Sequence, residues 1–212
     1  MKNLIIFDVG GTLIKAKNIF EETAKKLGNL NLQEQIQTKF WEIIKQNPHL
    51  TEEQTLMLAT EIIAEEKGLD ATKIAGLMKD IFITKSTLKE NAEETLNYLK
   101  KQNHDIIIAS DSDHDLLTEE LKKHKILHFF KEILTSNKAK AYKPSNKFAE
   151  ELQRIINKIK PDKTYFVGDS EVDIKTAKKI NATPIYINKN LKHKNAEHNI
   201  KNLKEIQKII TK

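Results

Sequence analysis

The residues able to do chemistry stand in short groups far apart in the chain: Asp8 with Gly10, Gly11 and Thr12; Ser110 with Asp111; Lys143 before Pro144; and Asp169 with Asp173. A carboxylate nucleophile, a hydroxyl donor, an ammonium and two further carboxylates together describe a site for a divalent cation and a phosphate-like anion. Charge assigns the roles. Asp8 attacks phosphorus and carries an aspartyl-phosphate. Two anions repel, so the attack needs positive charge near both, from Lys143 and from a magnesium ion held by Asp8, Asp169 and Asp173. Asp169 and Asp173 lie four positions apart at a helix start, where both can address one ion. Ser110 donates to a phosphoryl oxygen, and Thr12 offers its hydroxyl to the loop or the carboxylate. Gly10 and Gly11 let the backbone turn tightly and approach a ligand closely, which places Gly11 against the phosphate. Each residue alone has an ordinary reading: a turn aspartate, a strand-end serine, a solvated lysine, a helix cap. The inference rests on all of them occurring in order, each behind an apolar run.

Those runs are the elements that must position the groups. Leu4-Ile5-Ile6-Phe7 leads straight into Asp8, as a strand of a parallel sheet covered on both faces would, and ligands bind such sheets beyond the carboxyl ends of the strands. The pattern then turns helical. Ile19, Phe20, Ala24 and Leu27 mark one apolar face, ending at Gly28; Leu32, Ile36, Phe40, Ile43 and Ile44 mark a second, stopped by Asn47-Pro48. Thr51 with Gln54 reads as a capping box opening a third helix that ends at Gly68, and Asp70 caps a fourth through Ile81. The Phe40-Trp41 pair reads as core packing. Residues 15–85 thus form a helical insertion between 1–14 and 86–212, which together make the α/β core. From Leu88 helices and strands alternate as βαβ units, with strands at 105–110, around 133–135, at 164–167 and at 183–187, and a closing helix from about Asn202. The lysine-rich stretch from Lys189 to Lys204 reads as a solvated connector and as the best basic contact surface of the chain.

Composition removes several classes of function. With no cysteine there is neither a disulfide framework nor a thiolate metal site. The first strand follows Met1-Lys2-Asn3 directly and no apolar run nears the roughly 18 residues of a membrane span, so the expectation is a cytoplasmic protein with no membrane partner. A net charge of +6 favours anionic small molecules, but the single arginine, Arg154, argues against nucleic acid. The expected partner is a small phosphorylated substrate, and the expected state a monomer or homodimer.

With these residues in hand, the chain resembles the haloacid dehalogenase superfamily of hydrolases over essentially its full length. Phe-Asp-Val-Gly-Gly-Thr-Leu at 7–13 is similar to the family's first motif, Ile-Ala-Ser at 108–110 to the second, Lys143-Pro144 to the third, and Val-Gly-Asp-Ser-x-x-Asp at 167–173 to the fourth. The insertion after the first motif resembles the helical cap of the phosphoglycolate phosphatase-like branch. The resemblance implies a Rossmann-like core, magnesium dependence and a cap that selects the substrate. It also implies that the backbone carbonyl of Gly10 joins Asp8, Asp169 and Asp173 at the metal. One position departs. Where phosphatases of the family carry a second aspartate, two residues after the nucleophile, this chain has Gly10, and loss of a positioned acid-base group typically costs about 10²–10⁴ in rate. Three readings stay open: another group such as Asp111 handles the proton; the substrate has a good leaving group, or the chemistry resembles phosphonoacetaldehyde hydrolysis; or the fold binds phosphate without turning it over. Dehalogenation, with Asp8 attacking carbon, is a further branch, disfavoured because it needs no cation.

Overall fold

The computed structural model describes residues 1–15, 18–47, 50 and 52–210, without the side chains of 45, 52 and 53. Pro48 and Thr51, expected as a helix stop and a helix cap, lie outside the described residues. β1 (Leu4–Phe7) is buried on both faces because each of its residues is apolar and the sheet is covered on both sides. Leu4 and Ile6 pack into one apolar cluster with Phe148, Leu152 and Ile156, while Ile5 and Phe7 pack into another with Leu96, Leu99 and Leu117. The alternation of strand side chains thus feeds two cores from four residues.

After β1 come four helices, α1 (Ile19–Lys26), α2 (Asn31–Gln46), α3 (Glu52–Lys67) and α4 (Ala71–Thr84). Asn18 and Asp70 cap α1 and α4, accepting from the backbone N–H of Glu21 and Lys73. Ala24, Leu32, Ile36, Ile63, Ile74 and Met78 bury one another between these helices, in a cluster separate from the two that cover the sheet. Entry and exit run side by side: Lys15 donates to the carbonyl of Thr87 at 2.9 Å, Lys89 to that of Leu13 at 2.8 Å, and Ile14 pairs antiparallel with Leu88. That pairing holds Leu88 and Lys89 out of the next helix, α5 (Ala92–Lys101).

The remaining elements are β2 (Asp105–Ser110), α6 (His114–Lys123), β3 (Glu132–Thr135), α7 (Ser136–Ala139), α8 (Asn146–Ile159), β4 (Thr164–Gly168), α9 (Glu171–Lys179), β5 (Thr183–Ile187), β6 (His198–Ile200) and α10 (Ile206–Ile210). All six strands are parallel, in the order β3-β2-β1-β4-β5-β6. This is the α/β, Rossmann-like parallel sheet expected, with the strand order reversing direction at β1. α8 shows how the covering helices are specified. Ser145 caps its first turn, and Phe148, Ala149, Leu152 and Ile156 form the stripe laid on the sheet, each larger side chain contributing about 1.5–3 kcal/mol by burial. β6 corrects the reading of residues 189–204 as connector alone. Three residues are too few to display an alternation, yet Ile200 and, just beyond, Leu203 are buried in the core.

Candidate active site

β1 pairs with β2 on one side and β4 on the other, with Phe7 level with Ile108 and with Val167. Asp8 therefore leaves the sheet between Ser110 and Asp169, at the point where the strand order reverses. Lys143 reaches in from the loop before α8. Its ammonium donates to Asp8 Oδ1 at 2.8 Å and to Asp173 Oδ1 at 2.6 Å, and its side chain is 3% exposed. Asp173 is fixed from its other oxygen, Oδ2, which accepts from the backbone N–H and the hydroxyl of Ser170 at 3.1 and 2.6 Å in a capping box at the start of α9. The helix cap expected at Asp169 is Ser170, which leaves the Asp169 carboxylate for other work. Oxygens of Asp8, Asp169 and Asp173 lie within 4.8 Å of one another.

Two glycines make this approach feasible. Gly11 has φ +79°, and a Cβ there would collide with Oδ2 of Asp169; a Cβ at Gly168 would collide with the Asp173 side chain. The N–H of Gly11, expected to lie against the phosphate, is engaged with the Ile14 carbonyl at 2.7 Å. The N–H groups of Val9 and Gly10 make no hydrogen bond among the described residues and are free to meet an anion. Thr12 is fully buried and its hydroxyl makes no hydrogen bond, so the expected contact with the loop or with Asp8 is not formed. Ser110 Oγ accepts from the Ser112 N–H at 3.2 Å, which leaves its own O–H to donate. Asp111 Oδ1 accepts from the backbone N–H of Lys143 at 2.8 Å and so ties the second group to the third.

The electrostatics follow from one ammonium shared among too many carboxylates. Burial, opposed by Lys143 and reinforced by Asp173 and Asp169, pushes Asp8 up to about 7. Burial and the neighbouring Asp173 likewise raise Asp169, and burial raises Asp111 against the pull of Lys143. Burial works against the Lys143 ammonium, but Asp8, Asp173 and Asp111 outweigh it and hold the lysine charged well above its ordinary range. The two shifts agree: negative charge is in excess, so the lysine keeps its proton and the acids compete for what is left. Hard oxygen donors at this spacing, short of positive charge, suit a small divalent cation. Asp8 Oδ2 and the Asp169 carboxylate are the oxygens least engaged by hydrogen bonds.

The family model of haloacid dehalogenase-like hydrolases matches residues 5–187, from inside β1 to the end of β5. The chain belongs to this family. A comparison with curated proteins finds no match. Solved structures of similar fold include an L-2-haloacid dehalogenase from Xanthobacter autotrophicus with chloropropionic acid covalently bound, 12% identical over 100% of this chain and 99% of that one, TM-score 0.79. The HAD-hydrolase YfnB from Bacillus subtilis bound to magnesium is 17% identical over 100% and 99%, TM-score 0.78. A HAD phosphatase from Thermococcus onnurineus is 20% identical over 99% and 98%, TM-score 0.71. At such identities these likenesses concern the fold, which dehalogenases and phosphatases share.

In this hydrolase a cleft of about 410 Å³ opens between the acids and α2. Asp8, Gly10, Ser110, Asp111 and Lys143 form its floor; Phe40, Trp41 and Ile44 of α2 and Tyr142 form walls. Phe40 is core, as expected, 5% exposed and 5.7 Å from the Phe20 ring. Trp41 is not: it is 50% exposed and stands edge-on to Phe40. Adjacent helix positions face different directions, so the pair could not both be core. Tyr142 was missed altogether, although its place beside Lys143 is the signal that could have found it. Its hydroxyl donates to the Leu50 carbonyl at 2.9 Å, joining the lysine loop to the helical insertion.

Proposed function

We propose that the protein is a magnesium-dependent phosphatase-like hydrolase that forms an aspartyl-phosphate on Asp8. The observation carrying this reading is the crowding of Asp8, Asp169 and Asp173 around a single buried ammonium, an arrangement short of positive charge by about the amount a divalent cation brings. Asp8, Asp169 and the Gly10 carbonyl would hold the ion, with Asp173, whose oxygens already accept three hydrogen bonds, completing the set. A cation bound there supplies charge to the phosphoryl oxygens and to the attacking carboxylate.

Lys143 holds Oδ1 of Asp8 and so aims Oδ2 at phosphorus. As the Oδ2–P bond forms, the bond from phosphorus to the leaving oxygen breaks and that oxygen departs with the electron pair. Ser110 and the N–H groups of Val9 and Gly10 take hydrogen bonds to the equatorial oxygens, where charge builds. Water then attacks phosphorus, its protons staying on the released phosphate, and the Oδ2–P bond breaks with its electron pair returning to Asp8, which restores the carboxylate. The helices α1–α4 act as the cap that covers these steps, and the side chains of α2 meet the substrate. Purified protein with magnesium should release phosphate from phenyl phosphate, and Asp8→Asn should lower the rate by ~10³-fold or more, since the nucleophile is lost. Attack on carbon needs no proton donor either, so Gly10 leaves dehalogenation open, and the acid cluster weighs against it. Chloride release from 2-chloropropionate without phosphate release from any phosphate would overturn the phosphatase reading.

A further inference from the structure

We infer that the substrate is an aryl phosphomonoester: a phosphate on a flat, uncharged aromatic body whose oxygen leaves as a stable anion. This rests on the proposed phosphatase chemistry and adds the leaving group to it.

The first observation is the state of position 10. Its backbone is not in the left-handed region, and a Cβ there would meet nothing within 4 Å. Neither conformation nor packing asks for glycine, unlike Gly11, where the carboxylate of Asp169 lies against the backbone. Gly10 lines the cleft, so the space a proton-donating side chain would fill is open to the substrate. With no side chain at position 10, and Asp111 turned to accept from the backbone N–H of Lys143, the leaving oxygen departs as an anion. A phenolate, whose conjugate acid has a pKa of about 10 like the tyrosine side chain, can do so. An alkoxide, near the value of water at about 16, cannot do so at a useful rate.

The second observation is independent of the first. The walls over the phosphate position are Phe40, Trp41, Ile44 and Tyr142, and three of these are aromatic rings fixed in place. Phe40 is packed on Phe20, Trp41 stands at 5.2 Å and 81° to Phe40, and Tyr142 is tied to Leu50. A half-exposed tryptophan does little for the core and offers a large rigid face to a ligand. The charged side chains described around the cleft are Asp8, Asp111 and Lys143, and the lysine is already paired with Asp8 and Asp173. A substrate body carrying a second anion would meet Asp111 with no cation to balance it, whereas a neutral ring meets rings.

The test compares phenyl phosphate with cyclohexyl phosphate, two bodies of similar size that differ in leaving group, with acetyl phosphate as a small substrate that also leaves easily. We expect kcat/KM for phenyl to exceed that for cyclohexyl by ~10²-fold or more, and Gly10→Asp to narrow the ratio at least about tenfold by raising the cyclohexyl rate. Trp41→Ala should raise KM for 2-naphthyl phosphate about 3–10-fold more than KM for acetyl phosphate, the range expected for one aromatic contact. A wild-type phenyl-to-cyclohexyl ratio below about 3 overturns the leaving-group argument without the need for any variant. Equal effects of Trp41→Ala on naphthyl and acetyl phosphate overturn the aromatic wall. If these fail while acetyl or cyclohexyl phosphate is turned over in an Asp8-dependent way, only this inference falls; if no phosphate ester or acyl phosphate is turned over, the phosphatase reading falls and takes it along.

Discussion

At the scale of single residues, two neighbouring glycines do opposite things. Gly10 leaves a space unfilled, whereas Gly11 removes an obstacle. Asp169 can lean over the loop only because residue 11 has no Cβ, and the loop can turn there only with φ near +79°. Gly11→Ala should therefore act twice. The strained backbone costs about 1–2 kcal/mol, which urea unfolding would measure, and displacement of Asp169 should weaken magnesium binding about tenfold or more, near 1.4 kcal/mol, in a calorimetric titration. Unchanged magnesium affinity would show that Asp169 is not a ligand. The pair of glycines was visible in the sequence as a turn signal, but which of them is obligatory depends on a carboxylate more than 150 positions away.

At the scale of elements, the four helices of the insertion were readable because each carries its own stop or start signal. Gly28 and Gly68 both adopt positive φ, Asp70 caps, and the apolar spacing holds between them. What the pattern did not contain is how the insertion is fastened to the core. Lys123 on α6 reaches across to the end of α4, donating to the carbonyls of Ile83 and Thr84 at 2.8 Å and of Ser86 at 3.0 Å. Ile83 and Thr84 close the last turn of α4, where carbonyls have no i+4 donor inside the helix, and a cation there also meets the negative end of the helix dipole. Lys123→Met keeps the apolar stem and removes the donor. It should cost about 0.5–1 kcal/mol and lower the melting temperature by about 1–4 °C, and the loss should shrink at high salt because this lysine is exposed. Faster hydrogen exchange at residues 83–88 would locate the effect. An unchanged melting temperature would mean the contact contributes nothing.

For the whole molecule, charge and stability are coupled through the site. Asp8 keeps its proton up to about pH 7 in the fold and releases it near 3.8 when unfolded. Between those values the native state binds more protons than the unfolded one, so the metal-free protein should lose stability as pH rises through that window and show no further loss from this group above it. Cation and proton compete for the same carboxylates. Magnesium should therefore raise the melting temperature more at pH 8 than at pH 6. At one hundred times its dissociation constant the gain is about 2.7 kcal/mol, roughly 5–10 °C for a chain of this size. Removing the metal with a chelator should return the protein to its metal-free curve, and Asp169→Asn should flatten the magnesium response. Equal magnesium shifts at both pH values would count against Asp8 as a ligand.

No helix among the described residues is long and apolar enough to cross a membrane, and the six strands close into one sheet with helices on both faces. The sequence determined the strands that carry Asp8, Ser110 and Asp169, because the middle of a buried strand is apolar and the polar residue ending it stands out. It determined the helical insertion too, through caps and spacing that act over a few residues. Tertiary structure alone decided that Lys143 holds both Asp8 and Asp173, that Gly11 spends its N–H on Ile14, that three residues at 198–200 extend the sheet, and that Trp41 faces a cleft. The reason is physical. Local patterns fix which face of an element is apolar, whereas what a side chain meets is set by neighbours brought in from anywhere along the chain.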